Sequence, residues 1–307
     1  VTLGELRRAT GRHKESVEAF LRVLSQQPNN ADAVLGLAET YKASGDFKNA
    51  EVQYKRAIAL QPNYWSSYNK LGVFYYSRGR VADAVPHFQR VVQLVPDNEY
   101  GYNNLGGMFQ LLGRYDEAVA VYKRSIERKP TSQGYSNLGT CLYATGKYAE
   151  AAAAYDQAVK LTPASFLYWR NLGDALRWVP GREADARRAF DRAIELCDEE
   201  IRVNPSDAFA HAARAAALAK IGRVREGRTA ILRALELAPS DPAYIYEAAV
   251  IANIAGAEDE AIARLEQAIR LGATTASVQS DPEFANLQKS GRLQAIVQSP
   301  RSSDSTH

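Results

Sequence analysis

Residues 99–130 read EYGYNNLGGMFQLLGRYDEAVAVYKRSIERKP. The stretch contains two runs with apolar residues at three- and four-residue spacing, which predicts two amphipathic helices. Gly113 stands between them, where a glycine ends a helix by tolerating a left-handed backbone. Pro130 follows the second run, where it cannot continue the hydrogen-bond ladder. One such pair cannot bury its own apolar face, so the stretch needs neighbours of the same kind.

The neighbours are in the sequence. Pro28, Pro62, Pro96, Pro130 and Pro163 are spaced 34, 34, 34 and 33 residues apart, and Pro205 and Pro239 are again 34 apart. Between the prolines the same phrase returns: Leu37-Ala38, Leu71-Gly72, Leu105-Gly106, Leu138-Gly139 and Leu172-Gly173. A large residue follows each at a fixed interval, namely Tyr41, Tyr75, Phe109, Leu142 and Leu176. Then come the glycine turns Gly45, Gly79, Gly113 and Gly146, and the pairs Ala50/Tyr54, Ala84/Phe88, Ala118/Tyr122 and Ala151/Tyr155. The small residues let paired helices approach, and the aromatic rings fill the space around them.

This pattern resembles the tetratricopeptide repeat (TPR) over nearly the whole chain. The resemblance implies an all-α fold, a right-handed TPR superhelix (α-solenoid) of about seven full helix pairs, with a partial N-terminal repeat and a C-terminal capping helix. The expected divisions are a partial repeat at 1–30, then 31–64, 65–98, 99–131, 132–165, 166–207, 208–241 and 242–275, a capping helix at 276–298 and a polar tail at 299–307. Two regions depart from the pattern. The second helix of 166–207, expected at 182–203, is about seven residues longer than the others, close to two turns. Further on, Arg214 and Ala248 replace the usual leucine and Ala273 stands where proline is expected. The capping helix is expected to start at Ser280 or Asp281, with Pro282 in its first turn.

The 307 residues carry 38 basic and 35 acidic side chains, a balance that argues against a coat for nucleic acid. No uncharged stretch is long enough to span a bilayer. Cys141 and Cys197 suggest neither a disulfide framework nor a zinc site. His13, His87, His211 and His307 form no metal-ligand spacing, so no metal and no cofactor is expected. No nucleotide-binding glycine loop and no nucleophile elbow is present. Asp198, Glu199 and Glu200 read as a solvated helix face. No catalytic residue is expected, and the chain is read as a non-enzyme.

What the resemblance implies about function is protein binding. In a TPR superhelix the first helix of each pair lines the concave face. There the chain places Asn104, Asn137 and Asn171, with Asn69 and Asn103 one residue earlier in their own repeats. The series is similar to the asparagine ladder in the TPR superhelix of O-linked N-acetylglucosamine transferases, which holds an extended peptide by its backbone. An amide offers donors and an acceptor that match peptide groups. Asparagine before Leu-Gly also hydrogen-bonds across neighbouring helices in such phrases, so both roles stay open. Tyr76, Tyr143, Arg170, Asp174 and Arg177 are expected on the same face. Arg170 and Arg177 share a helix side and suit an acidic group on a partner. The lysines of a chaperone-tail clamp are missing at matching positions, Lys70 lying one place off.

The leading expectation is an interaction scaffold for a protein or peptide, cytoplasmic and part of a larger protein, since the chain opens at Val1 and its only methionine is Met108. The end of the chain, Leu271-Gly272 followed by Asp281-Pro282-Glu283-Phe284-Ala285-Asn286-Leu287, is similar to the TPR ends of multidomain bacterial signalling proteins. Two other readings stay open. One is the substrate-selecting arm of an enzyme such as a glycosyltransferase or kinase. The other is a self-associating spacer using Phe209, Tyr244 and Tyr246 of the C-terminal repeats.

Overall fold

The computed structural model describes residues 1–298, so the expected polar tail and His307 lie outside the described residues. The described chain is helical throughout. Helices α1 (Thr2–Ala9) and α2 (His13–Gln26) form the first pair, followed by α3 (Ala31–Ala43) with α4 (Phe47–Leu60), α5 (Trp65–Ser77) with α6 (Val81–Leu94), and α7 (Glu99–Leu111) with α8 (Tyr115–Arg128). The series continues with α9 (Ser132–Ala144) and α10 (Tyr148–Leu161), α11 (Phe166–Leu176) and α12 (Glu183–Val203), α13 (Ala208–Lys220) and α14 (Val224–Leu237), and α15 (Pro242–Ile254) and α16 (Glu258–Arg270). The described residues divide into two compact blocks, one from Val1 to Lys129 and the other from Pro130 onward.

Helix starts and stops follow local chemistry. Asn30 caps α3 by accepting from the Ala33 amide at 2.9 Å, and Thr131, Asp207 and Asp241 cap α9, α13 and α15 in the same way. At the end of α3, Gly45 takes φ 83°, the Asp46 amide reaches back to the Tyr41 carbonyl and the Gly45 amide to that of Lys42. This closure satisfies two carbonyls that the helix leaves open and turns the chain into α4.

The pairs α5/α6, α7/α8, α9/α10 and α11/α12 are each locked by a ring against a glycine. Phe88, Tyr122, Tyr155 and Phe190 are at most 4% exposed. A Cβ added to Gly72, Gly106, Gly139 or Gly173 would lie 2.4–2.8 Å from the facing ring. Only a residue without a side chain lets the two helices close to this distance. In the first pair, Phe20 fills the same role between Gly4 and Gly36. Within each block successive pairs then stack. The first helices also meet one another, α1 with α3 in the N-terminal block and α9, α11, α13 and α15 in turn in the C-terminal block.

The long helix α12 has 21 residues against 14 in α10 and α14. Its added turns carry Asp198, whose carboxylate accepts from Arg214 at 2.6 Å. The arginine that replaces leucine in α13 therefore faces a charge supplied by the lengthened helix, while Glu199 stays exposed.

The closing segment is not the single helix expected at 276–298. It comprises α17 (Thr275–Ser280), a 3-10 turn at Pro282–Phe284, α18 (Ala285–Lys289) and α19 (Arg292–Gln298). Pro282 pushes Asp281 into extended backbone, φ −76° and ψ 116°, and Gly291 at φ 74° ends α18. The break serves packing. Phe284, Leu287, Leu293 and Ile296 fold over α15 and α16 and join Ala249, Val250, Ala261 and Leu265 in one core.

Candidate functional site

In the N-terminal block, the first helices α3, α5 and α7 carry the polar groups. The Asn104 amide donates to the Asn69 oxygen at 3.1 Å, so the asparagines of successive repeats bond to each other. Asn103, next to this pair, has a buried side-chain oxygen with no partner in the chain. Gly107, one turn on, is the exception among the α7 glycines, because a Cβ there would meet nothing within 4 Å. Tyr76 is half exposed. On α3, Glu39 accepts from the Tyr54 hydroxyl at 2.6 Å and lies 3.5 Å from Lys70. Burial works against its charge, but the hydrogen bond and the two nearby lysines, Lys70 and Lys42, outweigh burial and hold its pKa below the ordinary range.

In the C-terminal block, α9, α11, α13, α15 and the closing segment surround a pocket of about 280 Å³. Of the residues expected from the sequence, Tyr143, Arg170, Asn171 and Asp174 line it. Asn137 does not. It accepts from Gln133 of its own helix at 2.8 Å. Arg177 stands alongside and is bound to Glu283 of the closing segment. The acidic group expected from a partner is thus supplied by the chain itself, because the closing segment folds back over α11 and α15.

Several residues of this pocket had no signal in the repeat pattern. Lys220 donates to Asp174 at 2.6 Å and stands 4.0 Å from Glu283. Tyr246 donates to Asp281 at 2.6 Å and packs edge-on against Phe284, so it is used inside the block rather than offered to a second copy. The Trp178 indole donates to the Tyr143 hydroxyl at 3.1 Å. Arg170 and Glu247 face each other at 3.9 Å without a hydrogen bond, and each keeps a buried unpartnered atom, Nε and Oε1.

Carboxylates outnumber cations here: Asp174, Glu247, Asp281 and Glu283 against Arg170, Lys220 and the adjoining Arg177. The titrations follow. Burial raises the Glu283 pKa, and Lys220 and Arg177 do not cancel the effect. Burial would lower the Lys220 pKa, but Asp174, Glu247 and Glu283 hold it above the ordinary lysine value.

The remaining titratable groups are structural in their contacts. His211 reaches the Pro205 carbonyl at 3.1 Å, and His87 stacks on Tyr75. Cys141 and Cys197 are separate, buried and free. No cluster of three or more His, Cys, Asp or Glu suited to a metal occurs among the described residues. No helix among them is long and apolar enough to cross a membrane.

The fold is shared with solved proteins. A tetratricopeptide repeat protein from Parabacteroides merdae matches with TM-score 0.63 and 14% identity over 87% of this chain and 97% of its own. The C-terminal part of a TPR repeat-containing protein from Cytophaga hutchinsonii matches with TM-score 0.59 and 15% identity over 80% and 98%. The MamA protein matches with TM-score 0.52 and 22% identity over 57% and 95%. No curated protein sequence matches the chain. Three family models, each described as tetratricopeptide repeat, match residues 7–72, 66–131 with 101–164, and 136–201, and so run without a gap from 7 to 201. With the glycine–ring locks and the helix pairs, they establish that the chain belongs to the tetratricopeptide-repeat family.

Proposed function

We propose that this chain is a non-catalytic scaffold that holds an extended protein segment against the first helices of its N-terminal block. The observation that carries the reading is the Asn69–Asn104 bond, which spans the first helices of two successive repeats and engages only one group of each amide. Gly107 supports the reading, because its open side leaves room for a backbone to come close. Tyr76 offers an aromatic surface on the same series of first helices.

The C-terminal block plays a different part in this proposal. Its groove residues Arg177 and Asp174 are already engaged by Glu283 and Lys220, so it serves as a closed end rather than as a second peptide groove. The partner in this reading is a protein rather than a nucleic acid, since 38 basic and 35 acidic residues leave an excess of only three to neutralise phosphates.

The test is a peptide-display selection on the purified chain, counter-screened against Asn69→Ala/Asn103→Ala/Asn104→Ala with folding checked by circular dichroism. Peptides retained by the parent and lost from the triple variant support the reading. Peptides that bind both equally remove the asparagines from it. If nothing is enriched and sedimentation shows dimers, the exposed Phe209 and Val203 favour self-association instead.

A further inference from the structure

Helix α12 presents one stripe of charge to solvent. Asp185, Arg188, Arg192, Glu195, Glu199 and Arg202 recur at three- and four-residue spacing and so share one side of the helix. The buried side, with Ala186, Ala189, Phe190, Ala193 and Cys197, lies opposite. Arg188 is 73% and Glu195 62% exposed, and Glu199 and Arg202 are exposed as well. The helix does not satisfy this stripe by itself. Arg188 and Arg192 are like charges four residues apart, and so are Glu195 and Glu199, a spacing at which like charges weaken a helix. Arg188 shares the Asp185 carboxylate with Arg182. Arg192 donates to Glu195 at 2.8 Å, whereas Glu199 makes no ion pair among the described residues.

The order of signs along the stripe is negative, positive, positive, negative, negative, positive. Turned end to end with every sign inverted, it reads the same. A second α12 laid antiparallel therefore sets Asp185 against the partner's Arg202, Arg188 against the partner's Glu199 and Arg192 against the partner's Glu195, and each pair occurs twice. A parallel pairing in register would set like charges against like. The antiparallel register also brings Ala184 against the partner's Val203, the 84% exposed end of the lengthened helix. That contact lies next to a cavity of about 380 Å³ edged by Asp185, Arg188 and Ala189 and floored by Leu172 and Leu176. We propose that α12 is a self-recognition face, through which two copies of this chain pair with their α12 helices antiparallel. Such a two-fold contact uses the same patch on both copies and closes on itself. It does not involve the asparagines of the N-terminal block, so pairing and peptide binding can fail separately.

The test is sedimentation equilibrium of the whole chain, at concentrations up to about 1 mM because exposed ion pairs are individually weak. A dimer is expected at about 0.05 M salt and should weaken at about 0.5 M. Two variants reverse the two halves of the stripe, Arg188→Glu/Arg192→Glu and Glu195→Arg/Glu199→Arg, with folding checked by circular dichroism. Each variant alone sets like charges together in its own dimer and should weaken pairing at least about tenfold. Mixed in equal amounts the two are complementary again, and the heterodimer should return to within about threefold of the parent. Recovery in the mixture requires the antiparallel register and is not produced by general destabilisation. Should either double variant fail to fold, the single changes Arg188→Glu and Glu199→Arg, both at exposed positions, carry the same comparison. A parent that stays monomeric throughout, variants that pair as tightly as the parent, or a mixture that recovers nothing overturns the proposal.

Discussion

Arg177 donates a hydrogen bond to the carboxylate of Glu283, 106 positions further along the chain. The pair ties α11 to the closing segment, and Glu283 is nearly inaccessible, at 6% side-chain exposure. Its two members should respond differently to substitution. Arg177→Ala leaves a buried carboxylate with only Lys220 nearby and should cost about 3 kcal/mol. Glu283→Gln removes the charge that burial penalises and should cost far less. The measurement is hydrogen exchange in α18 and α19, whose protection reports the closing segment directly.

The same glutamate gives a pH dependence. Its folded-state pKa lies above the ordinary 4.5, chiefly because of burial. Its contribution to stability is therefore complete below 4.5 and is lost as pH rises through the folded value. Protection of the closing segment should fall over that window in the parent and should be flatter in Glu283→Gln. An unchanged slope would mean that another group dominates.

Gly106 and Gly107 are neighbours with opposite surroundings. A Cβ on Gly106 would lie 2.4 Å from the Tyr122 ring, whereas one on Gly107 would meet nothing within 4 Å. Gly106→Ala should destabilise the N-terminal block by about 1–3 kcal/mol through overpacking. Gly107→Ala should stabilise it by about 1 kcal/mol, the helix-propensity difference. Urea denaturation of the two variants separates these outcomes. If Gly107→Ala also weakens peptides selected on the parent, the open side of α7 is where they lie.

Asn103 separates a binding role from a structural one. Its buried oxygen has no partner, so Asn103→Ala should not lower thermal stability and should raise it by up to about 1 kcal/mol, while weakening selected peptides. Asn69→Ala instead leaves Asn104 without its partner and should lower stability by about 1 kcal/mol. Equal effects of the two on stability would assign the asparagines to repeat packing alone.

Cys141 and Cys197 are both buried, and burial pushes both thiols up to about 12. They should stay protonated and unreactive toward a disulfide reagent at pH 8, and both should react once the chain is unfolded. Fast labelling of the native protein would show that α9 or α12 opens locally.

The repeat architecture was readable because its determinants are local and recur in phase. Gly72, Gly106, Gly139 and Gly173 mark the helix approach, and the rings that need them lie in the next helix. The pocket was readable only on its α9 and α11 side, where Tyr143, Arg170, Asn171 and Asp174 were expected on one face. Asp174 meets Lys220 from 46 positions away and Arg177 meets Glu283 from 106, and no period links them. Asn69 and Asn104 stand out of phase by one residue in the sequence, yet they bond to each other across successive repeats. The broken closing segment did carry a signal, Ser290-Gly291-Arg292, but an isolated glycine in a helical pattern is compatible with continuation as well as with a stop.

The extra length of α12 has a consequence for how such a chain can change. Seven residues turn a helix through about 700°, some 20° short of two revolutions. A heptad can therefore be spliced into a second helix while the ring at Phe190 keeps facing Gly173. The array behaves like a track whose sleepers are fixed but whose outer rail can be lengthened in seven-residue pieces. Each piece leaves a projecting stub, and here the stub ends in Val203, 84% exposed. New surface can thus be grown at the rim of one repeat at the cost of re-pairing the first helix that follows it, as Arg214 is re-paired to Asp198.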